Sequence, residues 1–135
     1  MNYLVVIDTN VLISALLSKH SDAATVQVLN AVFDGTIIPV FNDEILAEYD
    51  NVLHRPKFKF SDTNIQLLLD TIKTYGVFAK QLITNEILPD PKDLVFYEVV
   101  MEKQDENAYL VTGNSKHFPK KPFIVTPNEL LDIMK

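Results

Sequence analysis

The chain is 135 residues long, 47% hydrophobic and 22% charged, with three glycines, seven prolines and no cysteine. Length and composition of this kind describe one folded domain, residues 1–135, and exclude a disordered chain, a disulfide framework and a thiolate metal site. Twelve basic against eighteen acidic residues leave a net charge of −6, which excludes a protein that grips nucleic acid by bulk electrostatics; any such contact has to be local.

Tyr3 to Ile7 is a short apolar run rich in β-branched residues and predicts a central strand buried on both faces. The N-terminus lacks the basic front and the length of a signal peptide, and no stretch reaches the ~20 apolar residues that cross a bilayer. A soluble cytoplasmic protein with no membrane partner is expected. Val11 to Leu17, entered through the polar trio Asp8-Thr9-Asn10, predicts a buried helix, and Ala24 to Phe33 predicts a second one ended by Asp34-Gly35. Ile37 to Phe41 reads as a strand, and Pro39, which cannot donate to a ladder, predicts an outer place for it.

Asn42 offers an N-cap to a helix from Asp43 to Leu53, with Ile45, Leu46, Tyr49, Val52 and Leu53 at helical spacing, and His54-Arg55-Pro56 closes it. Asp62 to Tyr75 predicts a helix stopped by Gly76, after which Val77 to Ile83 has room for a short strand. Pro89-Asp90-Pro91 breaks the chain and starts a helix that runs to about Lys103. Ala108 to Thr112 and Phe123 to Val125 predict the last two strands, and Asn128 to Met134 a closing helix. Alternating strands and helices predict a three-layer α/β fold, with a central parallel sheet of about five strands and helices on both faces.

Such sheets bind ligands outside the carboxyl ends of their strands, which directs attention to the residues that follow each one. Asp8 follows the first strand, where it either caps the next helix or carries chemistry. Glu48 lies at the margin of its helix's apolar stripe, so it is either a partly exposed glutamate or a groove carboxylate in need of a partner. Asp90 suits an N-cap with Pro91 at the first helical position. Asp93, too short for the reach-back of a capping box, is free to face a cleft. Thr112-Gly113-Asn114 makes either a plain turn, with Gly and Asn supplying unusual backbone angles, or part of a site.

Asp8, Glu48 and Asp93 on one rim would repel each other, and a bound cation or a proton would relieve them. All-oxygen ligands favour Mg²⁺ or Mn²⁺, ions that assist phosphodiester hydrolysis. His20, His54 and His117 are isolated from one another, and no histidine metal site is expected. Arg55, Lys57 and Lys59 interleave with Phe58 and Phe60, and Lys116, His117, Phe118, Lys120 and Lys121 follow the Thr112 turn. Basic residues among aromatics suit single-stranded RNA; the alternative is a solvated loop with two core phenylalanines.

In this order, Val5-Val6-Ile7-Asp8-Thr9-Asn10, Glu44-Ile45-Leu46-Ala47-Glu48-Tyr49, Asp90-Pro91-Lys92-Asp93 and Tyr109-Leu110-Val111-Thr112-Gly113-Asn114 resemble the motifs of PIN-domain ribonucleases, nearest to the toxins of toxin and antitoxin pairs. The resemblance spans nearly the whole chain. It implies a metal-dependent endoribonuclease in which Asp8, Glu48 and Asp93 hold Mg²⁺ or Mn²⁺, Asn10 orients Asp8, and Thr112 and Asp90 support the cluster. Asn114 would be a further ligand, uncharged where the family commonly has an acid. The implied partners are RNA and a small DNA-binding antitoxin, and a homodimer is also open. Two other readings stand beside it. An aspartyl-phosphate enzyme would use Asp8 as nucleophile, although Asn10 replaces the second Asp of the usual phosphatase signature. A binding module would hold RNA or a partner without turnover. Three glycines and no Gly-rich loop exclude a nucleotide-cofactor enzyme.

Overall fold

Successive residues of a strand point to opposite faces of its sheet, and in the computed structural model, which describes residues 1–135, Val5, Val6 and Ile7 are all buried. The strand they belong to, β1 (Tyr3–Ile7), is therefore covered on both faces. It is the middle strand of five. With β2 (Ile37–Phe41), β3 (Val77–Phe78), β4 (Tyr109–Val111) and β5 (Ile124–Val125) it forms a parallel sheet in the order β3-β2-β1-β4-β5.

Six helices complete the molecule: α1 (Thr9–Leu17), α2 (Ala24–Asp34), α3 (Asp43–Leu53), α4 (Asp62–Tyr75), α5 (Leu94–Glu102) and α6 (Pro127–Ile133). α2 packs against α1, α6 and β2, whereas α3 packs against α4 and α5, and α5 lies along β1, β2 and β4. The result is the expected three-layer α/β fold, joined by a single cluster of 32 buried apolar residues, so one core serves both layers. No helix is long and apolar enough to cross a membrane. The chain fills β2 and β3 on one side of β1 and then returns to fill β4 and β5 on the other. The carboxyl ends of β1 and β4 thus flank a topological switch point, where parallel sheets open a crevice.

Local chemistry sets the element ends. The Asn42 side chain accepts a hydrogen bond from the Ile45 N–H at 2.8 Å and starts α3, and Thr126 with Glu129 forms a reciprocal capping box at the start of α6. Gly76 ends α4 because a side chain there would collide with the carbonyls of Ile72 and Pro39. Only a glycine lets the helix end lie this close to β2.

Two expectations are corrected. Pro39 lies not on an outer strand but on β2, which is flanked by β1 and β3. The Phe41 carbonyl accepts from the Ala79 N–H, and strand alternation turns Pro39 to the same side. β3 begins only at Val77, opposite Val40, so the missing donor at Pro39 interrupts no ladder. The short strand that Val77 to Ile83 has room for is β3, which stops at Phe78. The helix expected to start at Pro91 begins as a 3-10 turn over Pro91–Asp93 and becomes α-helical at Leu94.

The reason β3 is short is Glu98, a buried residue of α5. Its carboxylate accepts hydrogen bonds from the Thr84 N–H (2.7 Å), the Thr84 hydroxyl (2.9 Å) and Gln81 Nε2 (2.9 Å), and its carbonyl accepts from the Leu82 N–H. These bonds draw the segment after β3 away from the sheet edge and onto α5. Burial opposes the charge, but the three donors outweigh it and hold the Glu98 carboxyl below its ordinary range. Glu98→Ala removes a charged acceptor and strands the Thr84 N–H, so urea unfolding should show a loss of about 2–3 kcal/mol. A loss below about 0.5 kcal/mol would mean that the segment is held by its apolar contacts instead.

Candidate active site

Asp8 is the first residue after β1 and is only 5% exposed. It occupies the N-cap position of α1, yet its side chain makes no capping bond. The carboxylate instead accepts hydrogen bonds from the Thr112 hydroxyl at 2.7 Å and from Asn10 Nδ2 at 3.2 Å. Thr112 is the first residue after β4 and is fully buried, so the two strands at the switch point are tied together through side chains as well as through the ladder. The capping reading of Asp8 fails because β4 brings it a better donor.

The turn after β4 closes this arrangement. The Gly113 N–H donates to Asn10 Oδ1 at 3.2 Å, and the Asn114 N–H donates to Thr112 Oγ1 at 2.9 Å. Neither Gly113 nor Asn114 has a positive φ, so this is not a turn built on unusual backbone angles; it is shaped by its bonds to Asn10 and Thr112. Asn114 itself is exposed and its side chain forms no hydrogen bond to the acids.

Glu48, half-buried on α3, accepts a hydrogen bond from the Thr9 hydroxyl at 3.0 Å. Asp93 ends the 3-10 turn before α5, and His117 Nδ1 stands 3.4 Å from its Oδ2. Asp90 accepts from the Lys92 N–H at 3.0 Å and caps that turn. Tyr49 lies one residue beyond Glu48, and its buried hydroxyl donates to the Ile7 carbonyl, which fixes α3 against the end of β1. Burial, with the charges of Asp8 and Glu48, holds that phenol above its ordinary range. Thr9, Tyr49 and His117 carry no spacing signal as partners of the acids; only the folded chain joins positions this far apart.

Electrostatics link the three acids. Burial raises Asp8 from its ordinary 3.8 to about 6; the Thr112 hydrogen bond opposes the rise, and the charges of Asp93 and Glu48 add to it. Burial also raises Asp93, assisted by Asp90 and Glu48 and opposed by His117. Asp8, Glu48 and Asp93 thus feel one another's charge at the carboxyl rim of the crevice. No three acidic or histidine side chains close upon a single ion by themselves, so the cluster is open. Oxygen-only donors, one of them buried and reluctant to ionise, suit a hard divalent cation whose remaining positions are filled by water or substrate.

The candidate basic residues lie in two places. Arg55, Lys57 and Lys59 are exposed around a 3-10 turn, Pro56–Phe58, where Lys57 Nζ stands 5.1 Å from the Phe58 ring centroid. Phe58 and Phe60 stack on each other with centroids 5.5 Å apart, and Phe60 packs against the core. Lys116 is exposed beside the Thr112 turn.

A family model for the PIN domain matches residues 4–116. The chain belongs to the PIN-domain family, whose members are generally nucleases, hydrolases that usually use divalent metal ions. No curated protein and no solved structure matches it.

The raised Asp8 makes a stability prediction. Folded Asp8 keeps its proton up to about pH 6 while the unfolded chain releases it near 3.8, so the folded state binds more protons between these values and loses stability as pH rises through them. The shift corresponds to about 3 kcal/mol at neutral pH. Asp8→Asn keeps an oxygen for Thr112 and removes the charge. In metal-free buffer at pH 7.5 it should melt several degrees above wild type, and the difference should vanish below about pH 4. A variant less stable than wild type at both pH values would contradict the strain assigned to this carboxylate.

Proposed function

We propose that the protein is an endoribonuclease that hydrolyses phosphodiester bonds of single-stranded RNA with Mg²⁺ or Mn²⁺. The observation that carries the reading is the Asp8 carboxylate, held by Thr112 and Asn10 at the switch point and raised by its burial, to which the charges of Asp93 and Glu48 add. Asp8, Glu48 and Asp93 would hold the cation, and Asn114, on the neighbouring turn, offers an uncharged amide oxygen. The cation supplies positive charge for the phosphate and acidity for water and leaving oxygen. The chain supplies position. Thr112 and Asn10 fix Asp8, Thr9 fixes Glu48, and His117 borders Asp93, so each acid meets the substrate in a set orientation. Arg55, Lys57, Lys59 and Lys116 would hold phosphates of the strand away from the acids.

A toxin role within a toxin and antitoxin pair, in the cytoplasm, rests on the motif resemblance. Its support would be a neighbouring reading frame for a small DNA-binding protein, and the lack of one would remove it. A second reading, an RNA-binding module without turnover, is favoured by one feature: the acids do not close on a single ion.

Cleavage of single-stranded RNA should require Mg²⁺ or Mn²⁺, and Asp8→Asn and Asp93→Asn should each lower the rate by ~10²-fold or more with the fold intact. Equal cleavage in chelator and in Mn²⁺, on protein free of contaminating nuclease, would overturn the metal-dependent reading. Binding without cleavage in either metal would establish the module.

A further inference from the structure

The 3-10 turn Ser115–His117 is a wall with two sides. His117 faces the acidic crevice through Asp93, whereas Ser115 and Lys116 line a separate cavity of about 790 Å³ beside β5. Lys120, Lys121, Phe118 and Glu129 also line it. The cavity abuts the crevice through the backbone as well, because Val125 in its lining accepts the N–H of Thr112, the residue that holds Asp8.

Its charge is the reverse of the protein's. Three lysines face it against one carboxylate, on a chain with net charge −6. The lysines that form ion pairs are Lys73, Lys103 and Lys135, so Lys116, Lys120 and Lys121 are all uncompensated. The opposing Glu129 is already engaged, accepting the Thr126 N–H at 2.8 Å in the capping box of α6. Around the lysines, prolines and Phe118 supply apolar wall. Ligand pockets span about 300–1,000 Å³, and a mixture of cationic rim and apolar wall is the chemistry of a nucleotide, phosphate at the lysines and sugar or base at the wall.

We propose that this cavity is a second subsite, which binds a backbone phosphate and nucleoside of the RNA strand next to the segment lying over the acids. The inference rests on the ribonuclease reading and deepens it. The acidic crevice repels RNA until cations are present, so the neighbouring basic cavity supplies the cation-independent grip on the strand. Lys116, Lys120 and Lys121 hold phosphate, and the Ser115–His117 turn separates the gripping side from the reacting side.

The test is the fluorescence anisotropy of a short labelled oligouridylate, titrated in chelator over a range of salt, with wild type and with the double variant Lys120→Ala, Lys121→Ala. Both lysines are exposed, so the variant should keep the wild-type melting temperature. The expected result is binding about tenfold weaker, with a log–log salt slope shallower by about 1.4, two phosphate contacts on a single strand. Lys120→Arg, Lys121→Arg should restore both. Equal affinity and slope in wild type and the alanine variant, alongside Mn²⁺-dependent cleavage by wild type, would overturn the subsite and leave the ribonuclease reading intact. Wild type that neither binds nor cleaves RNA would overturn both. Lysine-dependent binding of labelled polyglutamate with none of RNA would assign the cavity to an acidic protein and overturn the subsite.

Discussion

A carboxylate buried at the end of the central strand is the constraint around which the rest of the structure is arranged. Asp8 is taken out of water by the layers that cover β1 on both faces, and it stays there only because Thr112 and Asn10 donate to it. Both donors depend on long-range order. Thr112 arrives on β4, which the topology sets directly beside β1, and Asn10 is held in turn by the Gly113 N–H. The polar ring Asp8, Asn10, Gly113 and Thr112 is thus a closed circuit across the switch point, with no buried side-chain polar atom left unpaired in the molecule.

Around that circuit the chain accepts strain that packing alone would avoid. Glu48 and Asp93 add negative charge to a site where Asp8 already resists ionisation. Each of the two is steadied by a partner from another part of the chain, Glu48 by the Thr9 hydroxyl and Asp93 by His117. Like charges gathered where one of them resists ionisation are characteristic of sites built for function rather than stability. Glu98 shows the contrast. It is equally buried, but three donors satisfy it, and its role is to hold the segment after β3 on α5.

Much of the fold is legible in the sequence because the periodic signals are strong. The apolar run Tyr3 to Ile7, the stripe of Ile65, Leu68, Leu69 and Ile72, and the caps at Asn42 and Gly76 each state an element and its boundary within a residue or two. Pro39 misleads about the place of β2, since the proline rule concerns hydrogen-bonding side rather than strand position. Where β3 stops within Val77 to Ile83 has no local signature, because the buried Glu98 lies on a different element. In the site, the acids stand out as carboxylates following strands, and Asp93 as a residue its cap does not need. Of their partners, Thr112 comes into view only through the motif resemblance, and Thr9 and His117 not at all. Thr112 and Asp8 are 104 residues apart, and pairing of that kind is decided by strand order, which periodicity does not contain. The cavity beside β5 is likewise invisible in a run of lysines that could equally be solvated.

The central proposal is that Asp8, Glu48 and Asp93 would together hold one divalent cation. Paramagnetic broadening by trace Mn²⁺ in amide-resolved NMR spectra tests it most directly, since the effect falls steeply with distance from the ion. The account predicts strongest broadening at the amides around Asp8, Glu48, Asp93 and Thr112 together, and its loss in Asp8→Asn. Broadening centred on the exposed acids elsewhere, or unchanged in that variant, would contradict it.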